Sequence, residues 1–202
     1  MNNSENVIIG SGQKLEIMAF DKYIECLSNL KSCFTTHTNY EIKNIECFGS
    51  YLLITGDNLC EVQQIISDNG NICLKKYQNI VSDSKILKSL IVSNQIVLMF
   101  ENSISIYSFE GEHKTMNFEH DLVDISLHES GILFVLNKEG HILYTDIKSL
   151  FTEEISLNRK VNDFQDKASI SIFFSEVEKA LFVGLSTNTC YRIKALNICS
   201  FD

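Results

Sequence analysis

The chain has 202 residues, 45% of them hydrophobic and 21% charged, with a formal net charge of −9. That balance suits a soluble globular fold burying roughly 70% of its unfolded surface. Lys and Arg total only 17, with arginine confined to Arg159 and Arg192, which argues against direct nucleic-acid binding or docking on anionic lipid, since both rely on clustered cations.

The amino-terminal MNNSENVIIGSGQK lacks the positive start and apolar centre of a secretory leader. The densest apolar runs, Ile96 to Phe100 and Ile132 to Leu136, are far shorter than the ~20 residues of a membrane-spanning helix. No membrane association is expected, and the expected location is the cytoplasm, the nucleus or both. Val7-Ile8-Ile9 should turn at Gly10-Ser11-Gly12 into a strand over Leu15–Phe20, with another strand over 31–36. Gly10 and Gly12 after an apolar strand hint at a dinucleotide loop. Such a loop needs a third glycine and a helix N-terminus under the pyrophosphate. Leu15 stands there instead and a strand follows, so the stretch reads as a hairpin turn.

From residue 44 a pattern recurs. Residues 44–66 (NIECFGSYLLITGDNLCEVQQII), 89–109 (SLIVSNQIVLMFENSISIYSF), 124–147 (DISLHESGILFVLNKEGHILYTDI) and 169–193 (SISIFFSEVEKALFVGLSTNTCYRI) share one plan. A short strand passes a polar turn into a compact apolar strand (YLLIT, IVLMF, ILFVL, ALFVG), then a second turn and an alternating third strand. Ser103-Ile104-Ser105-Ile106-Tyr107 and Gly140-His141-Ile142-Leu143-Tyr144 show the period of two that places side chains on opposite faces. Gly56-Asp57-Asn58, Glu101-Asn102, Lys138-Glu139-Gly140 and Ser186-Thr187-Asn188 supply turn residues. The middles of the apolar strands, Leu53, Val97, Phe134 and Phe182, lie 37 to 48 residues apart, close to the roughly 40–50 residues of a four-stranded propeller blade. Weaker fourth strands are expected at 71–75, 115–118, 154–157 and 196–201. Helical alternatives at 22–30 and 146–151 amount to single turns.

Pro is absent and no Gly-rich linker marks a boundary, so one domain is expected over 1–202, with units near 7–36, 42–75, 87–118, 122–157 and 168–201. Asn158 to Lys167 reads as a surface loop. The fold class is all-β, a small or partial β-propeller of about four to five four-stranded blades. If such a ring closes, the segment 196–202 would pair with the amino-terminal hairpin and Phe201 would cover Ile9 or Ile17. The seven cysteines are odd in number and contain no CxxC, a pattern that fits a reducing compartment. The even spacing of Cys47, Cys60 and Cys73 raises a metal site, but their Ile and Leu neighbours favour small buried side chains.

Two β-propeller families are resembled. Residues 122–147 resemble a WD-repeat unit, with LFVLNKEGHILYTDI as its hairpin and third strand and Asp146 at the terminal Asp position; Thr145 replaces the Trp, and no Gly-His pair opens a unit. IECFGSYLLITGDNLCEV and IVSNQIVLMFENSISIYSFEG are similar to repeats of the regulator of chromosome condensation, without that family's Trp and most of its glycines. Either resemblance implies a propeller presenting an interaction surface. It also implies, as an alternative role, a non-catalytic partner of an RNA-modifying or nucleotide-exchange enzyme.

No GxSxG, HExxH, EF-hand or phosphate-loop motif occurs. His37, His113, His120, His128 and His141 lack paired metal-ligand spacing. His128 and His141 are expected at blade turns, solvated or hydrogen-bonded. No cofactor or metal is expected. The best charge feature is EGEHKTMNFEHDLVD, residues 110–124, read as an acidic connection between blades. Its Glu110, Glu112, His113, Glu119, His120 and Asp121 form the candidate partner surface, suited to a protein with a basic face. The expected function is a non-enzymatic protein-interaction scaffold or regulatory subunit of an intracellular complex. The rival from another class is an enzyme whose carboxylates and histidines gather from several blade loops.

Overall fold

The computed structural model describes residues 4–21, 31–68, 71–92, 94–128, 131–147, 159–160, 169–175, 177–185 and 190–194. Among them every regular element is a strand, and every pairing given in register is antiparallel between consecutive strands. The chain divides into two compact units, Met1–Ser93 and Asn94–Asp202.

The first unit opens with β1 (Ser4–Ser11), β2 (Lys14–Asp21) and β3 (Lys31–His37), a three-stranded meander. β1 runs through Ser11, into the expected turn, and the reversal falls at Gly12-Gln13. Gly12 has φ +60°, the left-handed conformation a two-residue hairpin favours, whereas Gly10 lies inside the ladder opposite Leu15. A four-stranded meander follows: β4 (Asn44–Phe48), β5 (Tyr51–Thr55), β6 (Leu59–Asp68) and β7 (Asn71–Val81). Leu15, Leu52 and Ile54 are fully buried together, with Ile8, Tyr40, Ile42, Ile45, Ile65 and Leu74 packed around them. Leu53 is buried too; because neighbouring strand side chains point to opposite faces, β5 is covered on both. That is why YLLIT reads as a continuous apolar run. Gly56 sits under the Tyr40 ring, where an added Cβ would come within 2.7 Å of Cδ2. The Tyr40 hydroxyl donates to Glu61 Oε2 at 3.1 Å. Burial and that carboxylate push the phenol well above its ordinary pKa. β8 (Lys88–Val92) closes the unit, and its buried Ser89 hydroxyl lies 2.7 Å from Thr55 Oγ1. The Asn44 amide donates to the Ser89 carbonyl and hydroxyl at 2.9 and 3.0 Å.

The second unit holds β9 (Gln95–Met99), β10 (Ser103–Ser108) and β11 (His113–Asn117). They are followed by β12 (Leu122–Leu127), β13 (Ile132–Asn137), β14 (His141–Asp146) and β15 (Arg159–Lys160). The last sheet is β16 (Ser169–Ser175), β17 (Ala180–Leu185) and β18 (Cys190–Lys194). Between the final two sheets lies a core of Phe134, Leu136, Ile142, Ile172, Phe174, Leu181 and Val183. Phe134 and Phe174 stack there with ring centres 5.5 Å apart. β12 also reaches β16 by hydrogen bonds from the edge. The buried Asp124 accepts from the Ile125 N–H at 2.9 Å through Oδ1 and from the Ile172 N–H at 2.8 Å through Oδ2. Ser126 Oγ accepts from the Phe174 N–H at 2.9 Å.

Several expectations need correction. The outer strand expected at 71–75 extends to Val81, and that expected at 115–118 begins and ends earlier, at His113 and Asn117. Arg159–Lys160, expected in a loop, pair with Ile142 and His141 as a short fourth strand. Of the evenly spaced cysteines only Cys60 is buried; Cys47 and Cys73 are exposed, Cys73 on the outer strand β7 and Cys47 on β4, none of whose residues is buried. His128 follows β12 as expected but is buried, its ring edge-on to Phe174 at 4.6 Å. The expected strands at 154–157 and 196–201, the turn at 186–188 and the helical turn at 22–30 lie outside the described residues.

Two outcomes follow from this packing. Asp124→Ala removes the acceptor of two N–H groups and is expected to cost about 3 kcal/mol, lowering the melting midpoint by roughly ten degrees. Asp124→Asn, which keeps one carbonyl oxygen, should cost less than half of that; equal melts for the wild type and the Ala variant would refute the role. Burial also pushes the Cys60 thiol up to about 12, and a protonated thiol is not the nucleophile. Alkylation followed by peptide mass spectrometry should therefore modify exposed Cys73 and Cys190 in the native protein, Cys47 more slowly because burial and Glu46 raise its thiol pKa, and Cys60 only after denaturation.

Candidate interaction surface

The residues from Glu110 to Asp124 do not form one loop. The segment is a turn, the strand β11, a second turn and the start of β12, so the candidate residues fall into two groups at opposite ends of β11. A strand advances about 3.3 Å per residue, and the two groups are therefore more than ~13 Å apart along the chain direction.

The first group belongs to the β10–β11 hairpin. Gly111 takes φ +95°, and the turn is closed by the Ser108 N–H donating to the Glu112 carbonyl at 2.8 Å. The Glu112 N–H donates back to Ser108 Oγ at 3.1 Å. The turn therefore spends its backbone on itself and leaves Glu110 and Glu112 exposed. His113 lies directly opposite Tyr107, and the two rings stack at 5.5 Å with 16° between planes.

The second group meets the β13–β14 hairpin. Register explains this: Leu122 pairs with Asn137, which sets the residues before β12 beside those after β13. The Lys138 N–H donates to the Asp121 carbonyl at 2.8 Å, and Lys138 Nζ donates to Asp121 Oδ2 at 2.6 Å. That carboxylate holds the lysine above its ordinary pKa. Glu139 reaches two imidazoles, with Oε1 3.3 Å from His120 Nδ1 and Oε2 3.9 Å from His141 Nδ1. The two histidine rings lie edge to face at 6.4 Å. The hairpin under them is fixed by Asn137, which is buried and accepts from the His141 N–H at 2.8 Å, and by Gly140 at φ +78°.

The result is a knot of five charged or titratable side chains, His120, Asp121, Lys138, Glu139 and His141. Sequence reasoning named the first two as site residues and treated the others as turn or strand residues. The signal for joining them is the meander itself, which brings the entry of one strand beside the exit of the next. Glu119 is exposed beside the knot, and among the described residues no cation lies within ion-pair distance of it. Chemically the knot can present acceptors to a cationic partner. Among the described residues no three His, Cys, Asp or Glu side chains converge to hold a metal ion. Among the same residues no helix is long and apolar enough to cross a membrane.

No protein-family model matches the chain, and no curated protein does. The fold is similar to that of Hsv2 from Kluyvelomyces marxianus, a yeast β-propeller protein, in its crystal structure. The match has a TM-score of 0.52 at 10% sequence identity and covers 94% of this chain and 72% of that one. In all, 701 solved chains match in structure; the match to Hsv2, with the antiparallel all-β sheets, fits a propeller-like fold.

The knot separates two kinds of contribution. Asn137→Ala removes a buried acceptor and should cost about 1–2 kcal/mol in thermal or urea melts. Lys138→Met, which breaks an exposed pair, should shift the melt far less, and about 0.5 M salt should erase the difference. A salt-independent loss on Lys138→Met would show that the pair is structural.

Proposed function

We propose that this chain is a non-enzymatic protein-interaction module, a scaffold or regulatory subunit of a complex in the cytoplasm or nucleus. The observation that carries the reading is the division of labour within each sheet. The middle strands are consumed by packing, with Leu52–Thr55, Ile96–Phe100 and Leu133–Asn137 all buried. The turns carry the charged groups, and most of these engage each other, as Asp121 does Lys138 and Glu139 does His120. Paired in this way, they shape a surface more readily than they supply a reactive group. The free thiols of Cys47, Cys60, Cys73 and Cys190 support a reducing compartment. The balance of 26 acidic against 17 basic residues supports a partner with a basic face.

The test is affinity purification of the tagged full chain from its native cells, with mass spectrometry of whatever co-purifies stoichiometrically. Because the candidate residues lie in two groups, two charge-reversal variants are needed. One carries Glu110→Lys and Glu112→Lys, the other Glu119→Lys and Asp121→Lys. We expect one of them to lose the partner by at least about tenfold while melting like the wild type. Turnover of a substrate by the purified chain, abolished by either variant, would overturn the reading in favour of an enzyme.

A further inference from the structure

Between β11 and β14, both in the second unit, lies a cleft of about 190 Å³. Met116, Asn117, Phe118 and Glu119 line one side, and Val135, Leu143 and Thr145 the other. Its origin is in the register. Met116 stands opposite the buried Ile104, and Val135 pairs with Leu143 on the next sheet. Met116, Phe118 and Leu143 are only half-buried. The volume is below the roughly 300–1,000 Å³ of small-molecule pockets and is suited to a single large apolar side chain.

The charged knot lies at one end of this cleft. Phe118 and Glu119 lead directly into His120 and Asp121, and Leu143 is two residues from His141 on the same strand, hence on the same face. Around that end, among the described side chains, Glu119, Asp121 and Glu139 face the Lys138 ammonium, which Asp121 already engages; Lys160 pairs with His141 one strand further out. Among the described side chains, Glu139 is paired with imidazoles alone. Apolar walls beside an excess of carboxylates form a composite recognition element. The walls favour desolvation of an apolar anchor, and the carboxylates select its neighbours by charge.

Resting on the interaction-module reading above, we infer that this cleft is the anchor pocket for a basic segment of a partner protein, one that presents a Phe or similar apolar side chain flanked by Lys or Arg. The anchor enters between Met116, Phe118 and Leu143, and the flanking cations meet Glu119 and Glu139. An acidic segment would place like charges opposite one another and is excluded by the same geometry.

The experiment is fluorescence polarisation on the full chain with labelled peptides of sequence Lys-Lys-Phe-Lys-Lys, Lys-Lys-Ala-Lys-Lys and Glu-Glu-Phe-Glu-Glu. The first should bind, the second at least about tenfold more weakly, and the third not at all. Thr145→Trp, which fills the cleft from its rim, should remove the preference for Phe over Ala; Leu143→Ser should reduce it. Glu119→Lys should weaken both lysine peptides together. Each variant is first checked for a wild-type melt, and Thr145→Trp serves if Leu143→Ser fails to fold. Equal binding of the Phe and Ala peptides, or a Phe preference that survives in folded Thr145→Trp, overturns the pocket. Failure here is separable from failure of the module reading. A stoichiometric cellular partner retained by Thr145→Trp would sink the pocket and leave the module. Peptide discrimination as expected, with no cellular partner of the wild type, would leave the pocket and sink the scaffold role.

Discussion

The structure depends on what happens at the open edge of each meander. A β-sheet that does not close on itself leaves a row of N–H and C=O groups on its first strand, and burying them without partners would cost more than the packing returns. In the second unit the answer is side-chain capture. Asp124 and Ser126 on β12 take the N–H groups of Ile172 and Phe174 on β16, two residues apart on one strand as are their acceptors on the other. In the first unit the Asn44 amide donates to the Ser89 carbonyl on β8, and Thr55 meets the Ser89 hydroxyl. Polar side chains at these strand positions therefore let sheets pack in series while their edges stay satisfied.

Once edges are capped, the gradient of each sheet follows. The middle strand has a sheet face on either side and is apolar throughout, so Ile96 to Phe100 are all buried. The outer strand has solvent beyond it, and β11 is exposed at four of its five positions. Chemistry that must be accessible is confined to outer strands and turns. The charged knot and the cleft sit there for that reason, built on the hairpins of β10–β11 and β13–β14.

Legibility in the sequence tracks this gradient. YLLIT, IVLMF and ILFVL announced buried middle strands because burial on both faces abolishes alternation. Arg159–Lys160 were misread because two charged residues carry no period, and only the ladder to Ile142 and His141 makes them a strand. Gly10-Ser11-Gly12 reads as the turn because composition does not rank two nearby glycines; the positive φ falls on Gly12, and Gly10 stays in the ladder. Asp124 was grouped with the acidic surface, yet its carboxylate is turned inward to backbone N–H groups. Composition cannot tell a solvated carboxylate from one that replaces a strand.

The candidate surface was legible only in part for a related reason. A sequence window sees Glu110 to Asp121 as neighbours, whereas an extended strand holds its two ends apart and a hairpin joins residues 17 positions distant, as Asp121 and Lys138 are. Charge that looks uniform along the chain thus becomes two distinct surfaces. One is an exposed pair of glutamates above a stacked His113 and Tyr107; the other is a partly neutralised knot beside an apolar cleft. Binding energy comes chiefly from desolvated apolar anchors, and rim charge chiefly directs association and rejects wrong partners. Only the second surface places both elements side by side, which is why the specific partner is assigned to it and not to the more acidic hairpin.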